Sequence, residues 1–79
     1  MPVLMERLWT IVGRSNTPIV CGLYRREDER IELICHWASS ADALIRSKLV
    51  ADVVRGKSLA NEWLAATKDK GFTEVKGGH

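Results

Sequence analysis

Residues 58–75, SLANEWLAATKDKGFTEV, set the tightest limit on what this chain can fold into. Leu59, Trp63 and Ala66 recur at i, i+4 and i+7, with Ala60, Leu64 and Thr67 beside them. That is the apolar stripe of an amphipathic helix. Ser58 is a capping residue at its start. Gly71 supplies a left-handed residue at its end, and Phe72 is placed to fold back onto the last turn. A helix with one apolar face must lie on something, and the preceding half of the chain reads as sheet.

Residues 5–12 alternate, with Met5, Arg7, Trp9 and Ile11 on one side. The segment 13–18, GRSNTP, is a turn by composition. Residues 19–26 put Ile19, Cys21 and Leu23 on one side and Val20, Gly22 and Tyr24 on the other. Gly22 marks a bulge or a close approach of the helix. After the charged turn REDE, residues 30–38 alternate most cleanly: Ile31, Leu33, Cys35 and Trp37 against Arg30, Glu32, Ile34 and His36. Short turns between such runs favour an antiparallel meander, because parallel pairing needs a long crossover.

Residues 43–54 fit two patterns. As a strand, small or apolar residues fill one face at Ala43, Ile45, Ser47, Leu49, Ala51 and Val53, with Arg46, Lys48 and Asp52 on the other. As a helix, Ile45, Leu49 and Val53 form a stripe, and Ser39 with Asp42 makes a capping box. The longer alternation favours the strand. Arg55-Gly56-Lys57 then reads as a connector to the helix, and residues 73–75 as a short extended segment. The expected fold is α+β: a four-stranded antiparallel β-meander with one C-terminal helix packed on one face. The alternative is three strands followed by two helices. Residues 1–75 are read as a single domain and residues 76–79 as a mobile tail.

Composition narrows the function classes. At 79 residues the chain makes one domain, and a domain this short buries only about 60% of its unfolded surface, so a partner chain would help it. A balance of 46% hydrophobic and 28% charged residues is that of a globular protein. A net charge of +2 is far from the concentrated basicity of a dedicated nucleic-acid binder. Two cysteines are too few for a disulfide framework. No apolar run approaches the roughly 20 residues of a membrane span. The first residues, MPVLMERLWTIVG, lack the basic region and cleavage site of a secretory signal. The expectation is a soluble, cytoplasmic protein with reduced thiols.

The run LIRSKLVAD, a short gap, then LANEWLAATKDKGF resembles the end of small uncharacterised bacterial proteins built as a β-meander plus a C-terminal helix. The resemblance covers residues 43–72 and implies a strand at 43–54; it implies no activity. Met1-Pro2 and Gly13-Arg14-Ser15 resemble oxalocrotonate-type tautomerases, in which a helix follows the second motif. Here Asn16-Thr17-Pro18 and a strand follow, so the catalytic framework is missing.

The residues that carry chemistry are few. Cys21, Cys35, His36 and His79 are the soft ligand types, but adjacent Cys35 and His36 point to opposite faces of a strand and cannot easily share an ion. Both cysteines read as small core hydrophobes. Gly56-Lys57-Ser58 carries the last letters of a phosphate loop, yet Ala51 stands where its first glycine belongs. Trp9, Trp37 and Trp63 read as anchors of a sheet–helix core. No catalytic constellation, metal site or cofactor follows. Two surfaces remain. Val20, Ile34, Leu44, Val50 and Val54 make an apolar patch suited to self-association or a protein partner. Tyr24, Arg26, Arg30, His36, Arg46 and Lys48 make a basic sheet face, the alternative reading being a weak nucleic-acid binder. The expected role is a small non-enzymatic interaction module that forms a homo-oligomer.

Overall fold

A computed structural model of the chain describes residues 2–13, 17–39 and 43–75. Four long strands, β1 (Val3–Val12), β2 (Pro18–Arg25), β3 (Ile31–Trp37) and β4 (Leu44–Val50), are followed by helix α1 (Val53–Lys68) and a two-residue strand β5 (Thr73–Glu74). The sheet order is β4-β3-β2-β1-β5, and all neighbours pair antiparallel. The fold is therefore the expected α+β meander with one C-terminal helix, extended by a fifth strand on the β1 side. The segment between β3 and the helix is the strand, and the two-helix alternative falls. The capping box at Ser39 and Asp42, the turn at residues 13–18 and the tail at residues 76–79 lie wholly or partly outside the described residues.

The core is the sandwich between one sheet face and the helix. Ile11, Cys21, Leu23 and Leu33 are fully buried there, with Trp9, Ile19, Cys35, Ala60 and Trp63 around them. The cross-strand pairs Ile11–Ile19, Cys21–Cys35 and Leu23–Leu33 keep the apolar set of each strand in register, because a slip of one residue would turn it to the other face. The indole Nε1 of Trp9 donates to the backbone carbonyl of Ala60 at 2.9 Å, fixing the helix to β1 across the core. Lys57 pairs with Glu6 at 3.3 Å and Lys68 with Glu74 at 3.0 Å, at the two ends of the helix.

The helix begins earlier than its apolar stripe suggests. Its cap is Asp52, whose carboxylate accepts from the Arg55 amide at 2.8 Å, and not Ser58. Gly56 is inside the first turns, where it is buried. A Cβ there would stand 2.5 Å from Leu23 Cδ2 and 3.2 Å from Val50 Cγ2. Of the two readings of Gly22, the close approach of helix to sheet occurs instead at Gly56, on the helix side, while a bulge does lie beside Gly22, in the paired strand β1 between Arg7 and Trp9. At the other end the helix closes near Asp69, and Gly71 has φ +98°, the left-handed residue the sequence placed there. Phe72 packs on the core. The chain then pairs with β1, the Val75 amide donating to the Thr10 carbonyl at 2.8 Å.

Because β1 to β4 alternate in direction and β5 is antiparallel to β1, β4 and β5 run parallel at opposite edges of the sheet. The helix must cross from one edge to the other, starting beside the Val50 end of β4 and finishing beside the Val12 end of β1. A diagonal helix cannot cover the whole face beneath it. One uncovered corner lies above the Leu44 end of β4 and the Trp37 end of β3.

Candidate functional site

Three bulges decide which side chains share a face. Register shifts in β1 leave Met5 and Leu8 as extra residues, and one in β4 leaves Ile45 extra. Each insertion reverses the alternation of its strand. So Arg7, opposite Gly22, is on the side away from the helix, whereas Trp9, opposite Cys21, is in the core. In β4, Arg46, Lys48 and Val50 pair with Cys35, Leu33 and Ile31 on the helix side, while Ser47 and Leu49 pair with Ile34 and Glu32 on the other. This is the reverse of the expected assignment. Val50 belongs beneath the first turn of the helix, against Gly56, and that contact sets the parity of the strand.

The face away from the helix is built of three cross-strand rows. Leu4, Tyr24, Glu32 and Leu49 form the first; Arg7, Gly22, Ile34 and Ser47 the second; Thr10, Val20, His36 and Leu44 the third. No described element packs against it. Leu4, Leu44 and Leu49 are among the exposed large hydrophobic residues, with exposures of 44%, 57% and 43%. Val20, at 8%, is shielded by its own neighbours. Glu32 is tied to Arg26 at 3.1 Å, and His36 Nδ1 stands 2.8 Å from the Trp37 carbonyl, an acceptor that fixes the proton on that nitrogen. The face thus mixes exposed aliphatic residues with polar ones, of which Glu32 and His36 are engaged locally.

The two surfaces read from sequence are reassembled. Of the apolar patch, Val20, Ile34 and Leu44 share the open face. Val50 lies under the helix, and Val54 is exposed on the helix itself. Of the basic set, only Tyr24 and His36 are on that face. Arg26 and Arg30 are in the β2–β3 turn, within 3.7 Å and 3.6 Å of Asp28. Arg46 and Lys48 are on the helix side. Gly56-Lys57-Ser58 is interior to the helix and forms no loop at its start.

On the helix side, the uncovered corner holds a cavity of about 330 Å³. Trp9, Trp37, Trp63 and Phe72 contribute to its walls, and Arg46 and Lys70 also line it. The Arg46 guanidinium lies 4.9 Å from the centre of the Trp63 ring. Cys35 reaches the cavity as well. Its thiol is held below the ordinary range by the hydrogen bond it accepts from Cys21 and, to a lesser extent, by the Arg46 charge, against the opposing effect of burial. Cys21, fully buried, keeps its proton, its acidity suppressed by the same hydrogen bond and by desolvation. Both cysteines are free. Among the described residues no group of three or more His, Cys, Asp or Glu could hold a metal ion, and no helix is long and apolar enough to cross a membrane. Sequence reasoning missed the cavity because it depends on the angle of the helix. The one available signal was the concentration of tryptophans on strands and helix alike. No protein-family model, curated protein or solved structure matches the chain.

Proposed function

We propose that the chain is a small non-enzymatic interaction module that pairs with a second copy of itself through the open face of its sheet. The supporting observation is the uncovered face itself: Leu4, Leu44 and Leu49 stand exposed on it around the half-buried Ile34. A two-fold axis between β2 and β3, parallel to the strands, brings the Ile34 rows of two copies face to face, the arrangement of an isologous contact. Four strands about 4.8 Å apart and about seven residues long give a flat footprint of about 450 Å². Two copies then bury about 900 Å², and more once side-chain relief is counted, near the roughly 1,000 Å² at which specific interfaces begin. The pair is therefore of the weak, reversible kind.

Light scattering or sedimentation across a concentration series tests this. The expected result is a mass that rises from monomer to dimer in the wild type and stays monomeric in Ile34→Lys, with an unchanged circular dichroism spectrum. A dimer that survives Ile34→Lys would move the interface elsewhere, and a wild-type monomer at millimolar concentration would overturn the reading. Titration with short nucleic acid at low salt supplies the remaining discriminator: salt-sensitive shifts at Tyr24 and His36 would favour a nucleic-acid surface on that face.

A further inference from the structure

We infer that the cavity beneath the C-terminal half of the helix is a binding site for a small amphipathic carboxylate, an aromatic or branched acyl group bearing one anionic end. Its volume of about 330 Å³ is at the small end of ligand pockets, which run from about 300 to 1,000 Å³. It suits a single ring or a short acyl chain. The walls supply the apolar part of the recognition: Trp9, Trp37, Trp63 and Phe72 all contribute. Such pockets are lined mainly by aromatic and aliphatic groups, with a few polar groups that fix orientation.

The charged groups at this site are of one sign. Arg46 and Lys70 line it, and no Asp or Glu does. Among the described residues neither cation has a carboxylate partner: the ion pairs seen there use Arg26, Arg30, Lys57 and Lys68. Arg46 is held by its stacking on Trp63, which orients the guanidinium without consuming its hydrogen-bond donors. A planar fork with free donors is the group that recognises a carboxylate in bidentate fashion. The bulge at Ile45 contributes by reversing the strand, so that Arg46 is aimed at the helix side and not at the open face. The site combines an aromatic slot with an uncommitted guanidinium on a neighbouring strand and an ammonium from the end of the helix.

The test uses 4-phenylbutyrate as the probe and its neutral amide as the control. All three tryptophans line the cavity, so intrinsic fluorescence and the indole NMR signals report occupancy directly. The expected result is saturable binding of the acid, with shifts at the Trp37 and Trp63 indoles, at least tenfold tighter than the amide. Arg46→Gln removes that preference while the amide binds as before. Lys70→Gln weakens the acid to a lesser degree. Ala66→Trp, which fills the cavity from the helix, abolishes binding of both, and amide NMR spectra verify that each variant is folded. Absence of saturable shifts at millimolar probe, equal affinity for acid and amide, or an Arg46→Gln variant that keeps the preference would each overturn the inference. Repeating the titration on Ile34→Lys separates this site from the dimer reading, since the two lie on opposite faces.

Discussion

The two faces of the sheet differ in what the chain does with their apolar residues. Leu33 and Ile34 are adjacent on β3 and chemically near-identical. Leu33 is fully buried beneath the helix, whereas Ile34 is half-buried on a face that no described element covers. One apolar surface is closed by 16 residues of helix, and no described element closes the other. On the proposed pairing, the contrast also separates two kinds of energy: contacts under the helix stabilise the monomer, and contacts on the open face act only at a concentration that populates the pair.

Substitutions divide along that line. Leu33→Ala should be the most damaging, costing about 2–5 kcal/mol through lost burial and the cavity left behind, read as a lowered urea midpoint. Gly56→Ala is the next. Alanine's better helix propensity returns about 1 kcal/mol, but its methyl must displace the fully buried Leu23 against Val50, and overpacking costs about 1–3 kcal/mol. A net loss is expected, and a net gain would mean that the helix can lift from the sheet. Asp52→Ala removes the cap for about 1 kcal/mol, and Asp52→Asn should restore most of it. Ile34→Lys, measured in dilute solution, should change monomer stability by about 0.5 kcal/mol or less while abolishing concentration dependence. If Ile34→Lys destabilised the dilute protein as much as Leu33→Ala, the distinction between the faces would collapse.

The parts of the fold legible in the sequence are those set by simple periods. β2 and β3 carry an unbroken alternation, and Ile19, Cys21, Leu23, Ile31, Leu33, Cys35 and Trp37 lie on the core side as read. The helix end was marked by Gly71. What escaped was whatever interrupts a period. Extra residues at Met5 and Leu8 turn over only Glu6 and Arg7 in β1, and the one at Ile45 turns over β4 from Arg46 onward; nothing local distinguishes them from regular strand residues. Gly56 resembles a connector, since a glycine in a helix is costly; the reason for it here is Leu23, some 33 positions away in sequence. The extended segment read at residues 73–75 is there as β5, and only its pairing partner β1 was not legible. The apolar surface was half legible: Val20, Ile34 and Leu44 share the open face, but Val50 and Val54 do not. The cavity was not legible at all, being a product of one helix angle and one bulge.

The hydrogen bond from Trp9 to Ala60 and the short pairing of β1 with β5 join the first strand to the last two elements, across 51 positions in the case of Trp9. Every other ladder in the sheet links neighbours along the chain. The Trp9–Ala60 bond and the β1–β5 ladder therefore close the longest loops in the molecule and carry a larger entropic cost than the local turns of the meander. The first strand is thereby tied to the last, so a cut or an insertion in either end of the chain is felt at the other.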